Sequence, residues 1–532
     1  MAKYNTKAKS TVTPVVNHQD GVGFKYDQKT ELVAILATGI ENKYYEKEGD
    51  REKRLSNVIA EIAKKDKIFA AKALVYARSV MGQRTVTHLG AVELAKHLSG
   101  DELGARFFSK RARKGNIGGI VYRLDDMLEI AACYMAKNPG KPLSNAIKKG
   151  FKAALEAADE YELAKYQASN RDLSLVDIVN LVHPKPSEKM APVFAKLMKG
   201  ELKQFNTVED KNTKAGQEVA AKVKSGELTK EDAVKVLNEA KEDNYAELIA
   251  NRKIGYLALL RNLRNILKTG AKAEVVKGAC ELLTDVKLIK QSLVFPHQID
   301  IALEIMLDEF GASGARPFIK ALNDAYELAI PNLTELFNHG KTAVVWDTSG
   351  SMHGTGWGGG VHMNIGGVKK AINKMPVDKA ALIGATLAKG IGADLFHFAS
   401  TCEAIKYNPN DSVNTIKNNG MKLEGRVGHG TSFNEIFRTL AKHGQYDRIF
   451  IISDMQGGDS IAQGSDYQAY TKKFGQPYIY TIDIQGYGTT MFKPNGNKII
   501  QLFGYGADIY EYVKKAEINP KALIEAIEQI EI

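Results

Sequence analysis

Cysteine is scarce in this chain: three residues in 532, Cys133, Cys280 and Cys402, far apart and without a CxxC spacing. That excludes a disulfide framework and a paired-cysteine zinc site, and leaves the three as small buried hydrophobes. No apolar run reaches 18 residues, so no segment reads as a membrane-spanning helix. The opening stretch "MAKYNTKAKSTVTPVV" lacks the apolar region of a secretory signal. The expectation is a soluble, cytoplasmic protein with no membrane partner. GxSxG, HExxH and Walker motifs are also missing, and the glycine run "HGTGWGGG" does not continue as GxxxxGK[ST]. Nothing pairs a nucleophile with a base, so the chain is not expected to be an enzyme.

What is present is length and positive charge. A chain of 532 residues exceeds a single core and predicts two or more domains. The net charge is +11, and it is unevenly spread. Residues 1–340 hold 53 Lys and Arg against 44 Asp and Glu, whereas residues 341–532 hold 20 against 18. The basic excess lies in the first part, where phosphate attraction would act.

The two parts also differ in pattern. Up to about residue 338, segments such as "SNVIAEIAKKDKIFAAKALVYARSV" and "MLEIAACYMAK" place apolar residues three and four apart between Gly, Pro or Asn breaks. Strand-like alternation is missing, and successive helical hairpins predict an α-solenoid. Residues 205–245, rich in Lys, Glu and Asp, read as solvated helices or a charged linker. Beyond residue 340, apolar runs such as "KTAVVWD", "DRIFIISD" and "PYIYTIDI" alternate with helical stretches, the pattern of a doubly wound α/β sheet. The organisation read from this is an N-terminal extension (1–25), a helical-repeat domain (26–338) and an α/β domain (339–532).

The string "AVVWDTSGSMHG" places Asp347, Ser349 and Ser351 at the end of an apolar strand, where ligands bind in open α/β sheets. A carboxylate and two hydroxyls at alternate positions, with Gly350 letting the chain curl, form a hard-oxygen set suited to Mg²⁺. Thr431 in "GHGTSFNEIF" and Asp454 ending "DRIFIISD" are the remote partners. Together Asp347, Ser349, Ser351, Thr431 and Asp454 resemble the metal-ion-dependent adhesion site of von Willebrand factor A domains. Asp454 is expected to act in the second shell or through water. An ion so held keeps an open position suited to an acidic side chain of a partner protein. The glycine-rich segment 354–367 reads as a flap beside the site, with His353 and His362 not expected to ligate.

"LSLVDIVNLVHPKPS" (173–187), "GYLALLRNLRNI" (255–266), "LIKQSLVFPHQIDIALE" (288–304) and "KTAVVWDTSGSM" (341–352) occur in the order found in the TROVE proteins, and the chain resembles the Ro ribonucleoprotein branch of that family. The resemblance implies a ring of HEAT-like repeats closed by the α/β domain. It further implies binding of small structured noncoding (Y-like) RNA on the basic outer surface and of single-stranded ends of misfolded RNA in the hole. An exoribonuclease partner is implied as well.

Matching segments put forward Lys165, Arg171, His183 and Lys185 as RNA contacts. His183 precedes Pro184, where a helix is expected to end, so its ring is placed to stack on a base. Arg111, Arg113 and Lys114 form the sharpest basic cluster, "SKRARKG", with an RNA contact and a solvated loop as its two open readings. Arg261 and Arg264 share a helix face, pointing into the hole or pairing with a carboxylate on a neighbouring helix. His297 is read as structural. The reading that competes with an RNA scaffold is a metal-dependent adhesion scaffold in which the α/β domain alone is the functional module.

Overall fold

A computed structural model describes residues 14–98, 102–112, 117–167, 173–202, 208–292, 294, 296–329, 340–354, 361–365, 368–372, 375–459, 461, 465–493, 498–506, 508–519 and 521–532. The predicted boundary at 338/339 lies outside the described residues, as do Arg113, Lys114 and Arg171. From Gln28 to Ala329 the elements among the described residues are all helices.

Local chemistry accounts for the helix ends. Ser174 and Asp177 form a reciprocal capping box that opens helix Leu175–Val182. The same helix stops at His183, whose φ of 46° is left-handed, immediately before Pro184. In helix Tyr256–Lys268 the residues Leu259, Leu260, Leu263 and Ile266 are buried on one face. Arg261 is exposed on the other. The charged segment forms two helices, Val208–Lys224 and Lys230–Ala250, rather than an extended linker.

Eleven strands are present among the described residues. Strands β1 (Pro14–Val16), β2 (Val22–Lys25) and β10 (Thr489–Thr490) form a small antiparallel sheet, so the N-terminal segment adds to the C-terminal part of the chain. This hairpin was not legible as strand. Strands β4 (Val361–Ile365) and β5 (Val368–Ile372) pair as an antiparallel ribbon within the glycine-rich region. Residues 355–360 and 366–367 of the expected flap lie outside the described residues.

The main sheet has six strands: β3 (Thr342–Asp347), β6 (Asp394–Phe398), β7 (Cys402–Ile405), β8 (Arg448–Ser453), β9 (Tyr478–Asp483) and β11 (Ile499–Phe503). Their order is β11-β9-β8-β3-β6-β7, with only β7 antiparallel. The β3 side chains divide between two cores. Val344 and Trp346 join the large cluster shared with the helices, and Ala343 and Val345 join a second cluster on the other face. Burial on both faces explains why these strands read as continuous apolar runs. Trp346 is fully buried, and its ring lies so close to Gly384 and Gly420 that a Cβ at either would sit 2.5 Å from it.

The sheet half meets both ends of the helical run. At the start of the run, Tyr26 donates to Asp483 at 2.9 Å, Arg54 to the Gly486 carbonyl at 2.7 Å and Lys72 to the Glu528 carbonyl at 2.6 Å. At its end, the Tyr326 and Thr386 hydroxyls lie 2.8 Å apart, Asn414 donates to Asn323 at 3.0 Å, and Lys417 pairs with Asp300 at 2.7 Å.

Candidate metal centre and nucleic-acid interface

β3 lies between β8 and β6, and the chain crosses from one side to the other after β7, so the strand order reverses there. Such a switch point opens a crevice at the carboxyl ends of the strands. Asp347 ends β3 and Asp454 follows β8 directly, and both are fully buried. Three loops are tied together around them. The Gly350 amide donates to the His429 carbonyl at 2.9 Å, and the Gly458 amide to the Thr431 carbonyl at 3.1 Å. Ser349, Ser351 and Thr431 are buried at the same place. The five residues named from the sequence are thus carried on three mutually bonded loops.

The carboxylates are only partly satisfied. Asp347 accepts the Ser349 amide at 2.8 Å and the Ser453 hydroxyl at 2.6 Å. Asp454 accepts the Gln456 amide at 3.0 Å through Oδ1, while its Oδ2 is buried without a hydrogen-bond partner. Ser349 and Ser351 hydroxyls lie 3.4 Å apart. Burial raises Asp347 to about 6, against the Ser349 and Ser453 hydrogen bonds. Burial, reinforced by the Asp347 charge, pushes Asp454 well above the carboxylate range. Two buried acids that repel each other, one with an orphaned oxygen, form a set that a hard cation would neutralise. The donor set therefore fits Mg²⁺. No group of three or more His, Cys, Asp or Glu suited to a metal occurs among the described residues, so any cation here relies on hydroxyls as well as carboxylates.

Several neighbours were not legible as part of this site. Ser453 orients Asp347 from the adjacent strand. Asp459 accepts from the Ser432 hydroxyl and the Asn434 amide, fixing the start of helix Phe433–His443 just after Thr431. His353 pairs with Glu424 and its Nδ1 lies 2.9 Å from the Ser349 carbonyl. Gln19, from the N-terminal hairpin, donates to the Thr431 hydroxyl at 2.9 Å. The sequence carries no local signal for that last contact, which spans more than four hundred residues.

The expected RNA contacts separate into two groups. Lys165, His183 and Lys185 are exposed. Lys165 lies 5.6 Å from the rings of both Tyr161 and Tyr166, giving a cation beside aromatic faces. The Lys185 amide donates to Glu156 at 2.7 Å, which anchors the backbone of this exposed residue. Arg111 is a correction: it is 1% exposed and donates to the Gly118 and Glu531 carbonyls at 2.6 and 3.0 Å. It fastens the chain's C-terminal end to the helical half instead of presenting a surface cation. Arg264 pairs with Glu309, which is the carboxylate reading of the two left open. Arg261 stays exposed and lines a cavity of about 340 Å³ together with Leu257, Leu260, Ile301, Ile305 and His297. His297 also packs edge-on against Tyr505 of the sheet half at 5.2 Å.

Residues 229–308 match the TROVE domain family model, so the TROVE resemblance rests on the segment that contains both Arg261 and this cavity. Among solved structures, the chain is similar to the Deinococcus radiodurans RO (RSR) protein. That match has 15% identity and a TM-score of 0.49, and covers 92% of this chain and 100% of the other. A second similarity is to an aerotolerance-related membrane protein from Bacteroides fragilis. It has 13% identity and a TM-score of 0.19, covering 36% of this chain and 97% of that one. No curated protein matches the sequence. No helix among the described residues is long and apolar enough to cross a membrane.

Proposed function

We propose, for a chain that carries a TROVE segment at residues 229–308, that it is a non-enzymatic RNA-binding protein of the Ro type. The observation that carries this reading is the TROVE match lying within the half that holds the basic excess. The helical run is read as a HEAT-like solenoid closed into a ring by a von Willebrand A-like domain, because the sheet half bonds to both ends of that run. A closed ring threads one strand but not two, so structured RNAs with a free single-stranded end are the favoured ligands. Lys165, His183 and Lys185 supply phosphate and base contacts, and Arg261 offers a guanidinium beside an apolar cavity of a size that ligand pockets commonly have.

The role that follows is a cytoplasmic scaffold for small noncoding RNA in quality control or processing, in company with an exoribonuclease. Asp347, Ser349, Ser351 and Thr431 would hold Mg²⁺ directly or through water, with Asp454 behind them or bridging by water. The cation would supply an electrophilic centre for an oxygen ligand. Chain residues do the rest: Ser453 orients Asp347, and Asp459 fixes the loop carrying Thr431. Crosslinking of the purified chain to cellular RNA, followed by sequencing, tests the reading. Recovery of small structured RNAs with adducts in the helical half supports it. A chain that retains no RNA favours the adhesion scaffold instead.

A further inference from the structure

The carboxyl end of the sheet is covered by the chain's own N-terminal segment. Asn17 organises the tip of the β1–β2 hairpin by accepting the Gln19 and Gly21 amides at 2.8 and 3.1 Å. The tip is fastened beside the carboxylates: Asn17 donates to the Gly457 carbonyl at 2.8 Å and the His18 amide to Gln456 Oε1 at 3.1 Å. Gly21 packs so tightly on Gly457 that a Cβ would lie 2.0 Å from its carbonyl oxygen. From this platform Gln19 reaches Thr431.

A second N-terminal piece arrives from the loop before helix Glu48–Ser79. Tyr45 stacks on His18 with ring centroids 5.2 Å apart and meets Tyr487 edge-on at 5.4 Å. Its amide donates to the Tyr487 hydroxyl at 3.4 Å, so the Tyr45 ring is held against the hairpin tip that carries Gln19. The hairpin tip is thus bonded to Gln456, two residues from Asp454, whose Oδ2 is buried without a hydrogen-bond partner.

We propose that Gln19 and Tyr45 belong to the cation site, so that occupancy of the carboxylate centre and closure of residues 14–47 onto the sheet are one linked equilibrium. This rests on the cation reading given above. It changes what the site is for: the Thr431 hydroxyl, which an acidic partner residue would approach, is already engaged by a neutral amide of the same chain. The cation then acts as a clasp that holds the start of the helical run against the sheet half. Linkage requires the effect to be reciprocal: a cation that favours the closed segment is itself bound more tightly when the segment closes.

The test uses the full chain with Mg²⁺ or Mn²⁺ alone. Hydrogen exchange at residues 14–25 and 39–47 is measured in chelator and in saturating cation, and cation affinity is measured by titration for wild type, Gln19→Ala, Tyr45→Phe and the double variant. Saturating cation is expected to slow exchange in both segments at least about tenfold. The double variant is expected to bind the cation at least about fivefold more weakly, at the low end of allosteric coupling. Circular dichroism establishes that the variants are folded, and either single variant serves if the double one is not. A wild type that binds cation with exchange unchanged in both segments, or folded variants with wild-type cation affinity, overturns the proposal and leaves the cation reading standing. A wild type that binds neither cation overturns both.

Discussion

Lys417, on helix Val413–Met421 of the sheet half, forms an ion pair with Asp300 of the helical half, 2.7 Å from Nζ to Oδ1, and each side chain is only 5% exposed. A buried pair is a poor net stabiliser but costly to break, because the surviving charge loses its counter-ion where water does not replace it. Asp300→Ala or Lys417→Met is therefore expected to lower unfolding free energy by about 3–5 kcal/mol in urea titration. Replacing both residues with apolar ones should recover most of that loss. A single variant with wild-type stability would show that the halves are not joined through this pair.

RNA affinity should depend steeply on salt. Phosphate neutralisation by Lys and Arg releases counterions, giving a slope of log K against log salt of about −0.9 per duplex phosphate and about −0.7 per single-strand phosphate. Fluorescence anisotropy between low and physiological salt measures the slope. An affinity independent of salt would remove the electrostatic role assigned to the first 340 residues.

The exposed and buried cations should behave oppositely on substitution. Lys165→Ala and His183→Ala are expected to weaken binding of a tailed hairpin RNA without lowering stability, by about 1–3 kcal/mol where a base stacks. Arg111→Ala should instead destabilise the fold, since its guanidinium holds the Glu531 carbonyl against the helical half. Anisotropy and thermal melts on the same samples separate the two effects. RNA affinity unchanged in both exposed-residue variants would mean that this segment does not face the ligand.

The carboxylate centre sets a pH dependence whose sign reverses with cation. In chelator, burial holds Asp347 near 6, above the ordinary carboxylate value, so the folded chain binds more protons than the unfolded one between those values. That contribution to stability is full below the unfolded value and is lost as pH rises through about 6. Asp347→Asn removes it, so the melting-temperature difference between wild type and variant should fall from pH 4 to pH 7 in chelator. With saturating Mg²⁺, binding to the ionised carboxylates stabilises wild type more at higher pH, and the difference should rise over the same range. A difference that ignores both pH and cation would exclude the centre.

The legibility of these features in the sequence follows from how local their causes are. Asp347 and Asp454 were readable because each ends a continuous apolar strand, and burial on both faces of the sheet makes such runs conspicuous. The stop at His183 was readable from the Pro184 that follows. Arg111 was misread because a basic cluster gives no sign of which member turns inward; its partners are backbone carbonyls, one of them at the far end of the chain. The pairing of β2 with β10, and of Gln19 with Thr431, depends on contacts between the two ends of the chain, and neither strand is longer than four residues. Segments that short carry no periodicity for a reader to find.

The central claim is that the helical half binds structured RNA through a free single-stranded end. Its most direct test is a competition at physiological salt between a hairpin RNA with a single-stranded 3′ tail and the same hairpin with a blunt end, read by gel shift on the full chain. The account predicts that the tailed RNA binds more tightly by at least about tenfold, a difference of about 1.4 kcal/mol, and that Lys165→Ala narrows the gap. Equal affinity for the two RNAs, or no shift with either, would contradict it.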